Sequence, residues 1–329
     1  MTLRAVILND TSTRYHHGCS RVMRLLTEGL GRHGLTITAR SPARHDWARD
    51  GSFLDAMRAA DVIVINGEGT LHHGRPAGAR LLEVAEHEAR GTTPIALVNA
   101  LWQDNPAEWS EPLSRIDLIA ARDSASADTM AQAVGREIRW LPDLSLSAPA
   151  LTASLPRDGV IVGDSVKPAP RRVLGRAAAT LGNAALVPTK TLTGGIWRLG
   201  PARAALAAAW YGALGLPALE MPADETAYLN RIARARLHLT GRFHAVCLSM
   251  LTETPFLALG SNASKIERLL ADAGLDPERL VRAEAFSPPP DAAPFSEAEL
   301  SAIRGFCDMA QRRAETLFAD IAALAKGPA

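Results

Sequence analysis

Cysteine is scarce in this chain, and its three copies, Cys19, Cys247 and Cys307, lie far apart with no CxxC spacing. That argues against a disulfide framework and against a zinc ribbon, and it fits a reducing compartment. Lysine is scarce too: only Lys167, Lys190, Lys265 and Lys326 stand among 36 basic residues, the rest being arginine. Charge of one sign is missing too, for the formal net charge is +1. No electrostatic footprint points to nucleic acid or to an anionic membrane. A long apolar run is also lacking. The most apolar stretch, Ala204 to Leu219, contains Gly212, Gly215 and Pro217 and is too short to span a bilayer. The N-terminus runs from Met1 straight into an apolar strand ending at Asn9-Asp10, without the layout of a signal peptide. The expectation is a soluble cytoplasmic protein with no transmembrane segment and no internal repeat; peripheral association with the inner face of the cell membrane stays open.

What is present is a sizeable apolar fraction, 47% of 329 residues, enough for two domains with their own cores. Short apolar runs alternate with segments of helical spacing. Strands are expected at Leu3–Leu8, Leu35–Ala39, Asp61–Ile65, Pro94–Val98 and Ile116–Ala121, with a helix over Cys19–His33 and another from Pro76 to Arg90. Runs of this kind suit a parallel sheet buried on both faces. The alternation restarts at Gly159–Gly163 and continues at Ala184–Val187, Ala218–Glu220, Leu237–Thr240 and Phe256–Leu259. The proline-rich stretch from Ala283 to Phe295 should be irregular, and a long helix should follow to about Leu324. This division places one Rossmann-like domain at 1–148, a Pro/Ala/Ser linker at 149–156, a second such domain at 157–295 and a C-terminal helix at 296–329. Alternating strands and helices predict doubly wound α/β sheets.

Ligands of such sheets bind beyond the carboxyl ends of the strands. The unusual residues gather there: Asp10 and His17, Asn66 and Glu68, Arg122 and Asp123, then Asp164 and Lys167, Thr189 and Lys190, and Asn262 and Lys265. The pattern is clearest at Thr240-Gly241-Arg242-Phe243-His244, where an apolar run breaks at glycine and a helical spacing begins. The free N–H groups and positive dipole end of that helix favour an anion. Arg242 adds a planar, permanently charged fork, and His244 a titratable imidazole. Taken alone, His244 is an ordinary structural histidine, Lys265 could simply solvate a helix, Glu68 is either a ligand contact or a solvated loop residue, and Asp143 could only cap the chain. The pairs His16-His17 and His72-His73 carry no standard metal spacing. Asn66-Gly67-Glu68-Gly69-Thr70 is not GxGxxG, which removes a nicotinamide reading.

Gly241-Arg242-Phe243-His244-Ala245, Thr254-Pro255, Ser261-Asn262 and Lys265 resemble the C-terminal signature of the polysaccharide pyruvyltransferase family. Upstream, Asn66-Gly67-Glu68-Gly69-Thr70, Arg122-Asp123-Ser124 and Pro142-Asp143-Leu144 keep the family's order across most of the chain. The first loop departs from the family's Gly-Asp pair: here it is Asn9-Asp10-Thr11-Ser12, with His17-Gly18-Cys19 later. The resemblance implies two Rossmann-like domains in a GT-B-like arrangement, the long C-terminal helix crossing back to the first. It also implies transfer of pyruvate from phosphoenolpyruvate to hydroxyls of a glycan or a lipid-linked saccharide, forming a ketal without metal or cofactor. The first domain would face the acceptor and the second the donor. In that scheme His244, Glu68 and Asp143 carry acid–base roles, while Arg242, Lys265, Asn262, Lys167, Lys190, Asn66, Asp10 and His17 bind substrates. Two alternatives stay open: a GT-B glycosyltransferase using a nucleotide sugar, and a non-catalytic glycan-binding relative.

Overall fold

The computed structural model describes residues 2–150, 156–191, 200–260, 263–286 and 293–327. Most of the expected linker, residues 151–155, and Asn262 lie outside the described residues. The chain divides into two compact units. Unit 1 comprises Met1–Arg14, Val22–Ser147 and Asp308–Ala329; unit 2 comprises Tyr15–Arg21 and Ala148–Cys307. The seven residues Tyr15–Arg21 therefore belong with the second half of the chain, which no composition shift announces.

Unit 1 is built on a parallel sheet of β1 (Leu3–Asp10), β2 (Leu35–Pro42), β3 (Val62–Asn66), β4 (Ile95–Ala100), β5 (Leu118–Ala121) and β6 (Arg139–Trp140), in the order β2-β1-β3-β4-β5-β6. Successive side chains of a strand point to opposite faces, and here both faces are apolar. Ala5, Ile7, Val62, Val64, Ala96 and Val98 enter one core, while Val6, Leu8, Ile63, Ile65, Ile95 and Leu97 enter the other. The first core is closed by α1 (His17–Arg32) and the C-terminal part of α11 (Glu297–Lys326), through Val22, Leu26, Leu30, Leu317, Phe318 and Ile321. A Cβ on Gly29 would collide with the Phe318 ring, so glycine permits that close approach. The other face is covered by α2 (Gly51–Arg58), α3 (Pro76–Leu82), α4 (Ser110–Ser114) and α5 (Ser124–Val134).

Unit 2 repeats the plan. Its strands β7 (Val160–Ser165), β8 (Ala184–Leu186), β9 (Leu237–Gly241), β10 (Phe256–Leu259) and β11 (Leu280–Val281) lie parallel in the order β11-β10-β9-β7-β8. Helices α6 (Pro168–Thr180) and α7 (Gly200–Tyr211) pack on one face with Val160, Val162, Leu237 and Leu239. Helices α8 (Glu225–Ala233) and α9 (Phe243–Leu251) cover Ile161, Ala185 and Val187 on the other. A further helix, α10 (Lys265–Ala273), follows β10.

Three local expectations are corrected. The single helix expected over Pro76–Arg90 ends at Leu82 and continues as separate 3-10 turns at Glu83–Ala85 and Glu88–Arg90. His87 Nδ1 accepts from Ala89 N at 3.2 Å, a side chain–backbone bond that starts a new turn instead of extending the helix. The strand expected at Ala218–Glu220 is reduced to one bridge, Leu186 to Leu219. Its partner β8 is only three residues long and is followed at Pro188 by a residue with no N–H. Within the proline-rich stretch, Ala283–Phe286 forms a 3-10 turn. Among the described residues no helix is long and apolar enough to cross a membrane.

Candidate functional site

Both sheets reverse their strand order at one place, between β1 and β3 in unit 1 and between β7 and β9 in unit 2. Crevices at such switch points, beyond the carboxyl ends of the strands, are where doubly wound sheets bind ligands. Both switch points carry buried polar groups.

In unit 2, β7 ends with Asp164-Ser165 and β9 ends with Gly241. A Cβ on Gly241 would stand 2.7 Å from the Ser165 side chain, so the two strand ends approach only because residue 241 is glycine. Arg242 follows as the N-cap residue of α9. Its Nε and Nη2 donate to Asp164 Oδ2 at 3.0 and 2.5 Å. Asp164 is fully buried, and its Oδ1 accepts from Thr189 N at 3.0 Å. These bonds use one edge of the guanidinium. The Nη1–Nη2 edge makes no hydrogen bond among the described residues, and it sits at the N-terminal end of a nine-residue helix. A fixed fork at the positive end of a helix is suited to a phosphate or a carboxylate.

His244, in the first turn of α9, is 6% exposed. Its ring meets that of His16 edge-on, with centroids 5.3 Å apart. A Cβ on Gly18 would collide with the His244 side chain. Residues 15–21 are therefore threaded against α9 at a point where only glycine fits. His16 and His17 point apart: His17 stacks on Tyr228, with centroids 4.8 Å apart and planes inclined by 18°. Backbone bonds hold the loop in place, His17 N donating to Thr189 O at 3.1 Å and His16 bridging to Lys190. Tyr228 OH and Thr189 Oγ1 share a hydrogen bond of 2.8 Å.

Titratable and charged groups crowd together here. Burial lowers the His16 pKa well below its ordinary value, and His244, Arg242, His17 and Lys265 push it further in the same direction. Burial brings His17 down to about 4, against a partial opposing pull from Asp224 and Asp164. Tyr228 is pushed upward, chiefly by burial. Both shifts favour the uncharged imidazole of His16 and of His17, while the charge of Arg242 is balanced by Asp164.

In unit 1 the corresponding switch point is a buried polar network. Asn9, in a left-handed conformation at φ 60°, donates through Nδ2 to Asn66 O at 2.6 Å and Thr70 Oγ1 at 3.1 Å. Thr11 Oγ1 donates to Glu68 Oε2 at 2.7 Å, and Asn66 Nδ2 reaches the same oxygen at 3.5 Å. Gly67 touches β4 so closely that a Cβ would lie 2.7 Å from Ala100 Cα. Glu68 is 2% exposed and Asn66 is fully buried. Asp10 accepts from Ser12 N and Oγ at 2.9 and 2.6 Å and pairs with Arg40 at 3.4 Å. At the far strands, fully buried Asp143 pairs with Arg122 at 3.6 Å and accepts from Ser145 N at 2.9 Å, capping a short 3-10 turn.

Of the residues singled out from sequence, Arg242, His244, His17 and Lys190 come together in unit 2, with Lys265 close enough to act electrostatically on His16. Lys167 is exposed at the N-cap of α6. Asp10, Asn66 and Glu68 share the unit 1 switch point, while Asp143 stands at its far strands. Sequence reasoning gave no role to Asp164, Gly18 or Tyr228. Asp164 was legible as a strand-end carboxylate. Gly18 and Tyr228 carry no local signal, because their importance lies in partners distant in the chain.

A family model described as polysaccharide pyruvyl transferase matches residues 8–262. No curated protein sequence matches the chain. Among solved structures, the UDP-N-acetylglucosamine 2-epimerase of Neisseria meningitidis superposes with a TM-score of 0.54 at 9% identity, covering 97% of this chain and 99% of its own. The α,α-trehalose 6-phosphate synthase of Burkholderia multivorans gives 0.56 at 12% identity, covering 99% and 97%. At such identities the likeness shows the fold alone, two Rossmann-like domains of the GT-B-like class.

Proposed function

The chain belongs to the polysaccharide pyruvyl transferase family, and on that premise we propose that it transfers pyruvate from phosphoenolpyruvate to two hydroxyls of a sugar in a cell-surface glycan or its precursor. One hydroxyl oxygen bonds to C2 of the enol phosphate, the methylene carbon takes a proton, the C2–O bond to phosphate breaks, and the second hydroxyl closes the ketal. Of the two hydroxyl protons, one is balanced by the new methyl group and the other leaves with phosphate. The observation that carries this reading is the guanidinium of Arg242 at the start of α9, two residues before His244, held on one edge by buried Asp164 and making no hydrogen bond on the other among the described residues. Phosphoenolpyruvate presents two anionic groups, and cations at the positive end of a helix suit both.

In this reading unit 2 holds the donor. Arg242 and Lys265 bind its anionic groups, with Lys190, His17, Asn262 and Lys167 as supporting contacts. His244 supplies a proton to the departing phosphate or stabilises its charge. Unit 1 serves the acceptor: Glu68 is the acceptor-side carboxylate, positioned by Thr11 and Asn66. Asp10 and Asp143 complete the acceptor side, each already tied to an arginine.

The test is a thermal-shift comparison of phosphoenolpyruvate with nucleotide sugars, followed by phosphate release in the presence of candidate glycans. Phosphoenolpyruvate at a hundred times its Kd should add about 2.7 kcal/mol of stability by mass action. Stabilisation by a nucleotide sugar alone would return the chain to the glycosyltransferases. Stabilisation by neither would favour a non-catalytic relative. Glu68→Gln should reduce turnover more than donor affinity, and normal turnover in that variant would remove Glu68 from the mechanism.

A further inference from the structure

We propose that His16, Cys19 and His244 form a binding site for a thiophilic divalent ion of the zinc class. Their ligand atoms lie within 4.8 Å of one another. Among the described residues this is the group of histidine, cysteine and acidic side chains that converges in this way. Two imidazoles and a thiolate are the donor set of a borderline-soft ion, and three protein ligands leave a fourth position open to water or an anion.

The local structure supports the convergence. His16 immediately precedes α1 and Cys19 lies in its first turn, so the spacing of three places both on one side of that turn. Cys19 N donates to His16 Nδ1 at 3.4 Å, a long bond that a metal–nitrogen bond would replace at little cost. His244 enters from α9 against Gly18, the residue between His17 and Cys19 that has no room for a Cβ. Cys19 and His244 are buried, and His16 is half-buried. Around tetrahedral zinc, bonds of about 2.0–2.3 Å put ligand atoms roughly 3.3–3.8 Å apart. Contraction by about an ångström is within reach of side-chain rotation.

Binding would release the thiol proton of Cys19 and form one S–metal and two N–metal bonds, with no change of oxidation state. The site shares His244 with the proposed donor site but rests on the three ligand positions, not on the pyruvyl-transfer reading. An ion bound there would occupy the imidazole lone pair of His244 and so inhibit transfer.

The experiment is titration of the full chain with Co²⁺, followed by displacement with Zn²⁺. One equivalent should bind, giving a sulfur-to-cobalt charge-transfer band and the intense visible bands of four-coordinate cobalt. Cys19→Ser should abolish the charge-transfer band and weaken binding at least tenfold, and His16→Ala should weaken it similarly. Cys247→Ser and Cys307→Ser should leave the spectrum unchanged. A native spectrum without the sulfur band, or a band that survives in Cys19→Ser, overturns the proposal. The first result needs no variant to fold, and neither depends on phosphoenolpyruvate binding.

Discussion

Arg242→Ala removes two things at once, a ligand-binding fork and the partner of a buried carboxylate. Asp164 is fully buried and the Arg242 side chain is 11% exposed. Stripping one member from a buried pair costs about 3–5 kcal/mol, because the remaining charge is left without compensation. In a unit of this size each kcal/mol lowers the melting temperature by about 2–4 °C, so a fall on the order of 6–20 °C is expected. The same substitution should weaken phosphoenolpyruvate binding by roughly ten- to a hundredfold, the worth of one charge-assisted contact. The double variant Arg242→Ala/Asp164→Asn separates the two effects. The neutral amide still offers an oxygen to Thr189 N, so most of the lost stability should return while the lost affinity should not. Thermal unfolding and calorimetric titration with phosphoenolpyruvate read both quantities. A single variant as stable as the native protein would refute the ion-pair account. A double variant that binds phosphoenolpyruvate normally would refute the anion-site assignment.

Gly18→Ala should displace the His244 ring and lower turnover at least tenfold, whereas Gly31→Ala on the same helix meets nothing within 4 Å and should add up to about 1 kcal/mol of stability; equal behaviour of the two in activity assays would show that Gly18 has no special role. Acid should destabilise unit 2 in two steps. His238, brought down to about 3 by burial from an ordinary 6.5, takes up its proton more readily in the unfolded chain, so stability falls as pH drops from 6.5 toward 3. Glu299, lowered from 4.5 to about 2 chiefly by its hydrogen bonds from Arg279, contributes stability above pH 4.5 that is lost as pH falls through 2. Melting temperature against pH should therefore fall less steeply below 4.5 in Glu299→Gln, the His238 slope remaining, and a slope there equal to the native one would remove the Arg279–Glu299 pair from the account.

The strands β1, β3, β7 and β9 were legible because each is buried on both faces and so reads as a continuous apolar run. That legibility stops where an element is too short for a period to show, as in the two-residue strands β6 and β11. It also stops where one side chain decides the outcome: His87 divides the segment 76–90, and no apolar count registers a single hydrogen bond. At the candidate site, Arg242 and His244 were legible because strand, glycine, cation and helix follow one another in the chain. The placement of residues 15–21 with the second half was not legible, since it depends on Thr189, Lys190 and Tyr228 meeting His16 and His17 in space.

That long-range placement explains why the family motif alone is an incomplete description of the unit 2 site. Asp164 orients the guanidinium, Thr189 anchors Asp164 and the entering loop, and Gly18 sets how close that loop comes to His244. Each contact involves backbone or buried atoms, so none of the four can relax independently when another is changed. The cationic fork is thereby held in position before any ligand arrives, which lowers the ordering cost of binding a small dianion. A surface arginine at the same helix start would carry the same charge without that preorganisation. The fully buried carboxylate of Asp164, more than the motif itself, is what fixes the Arg242 fork that the proposed anion site requires.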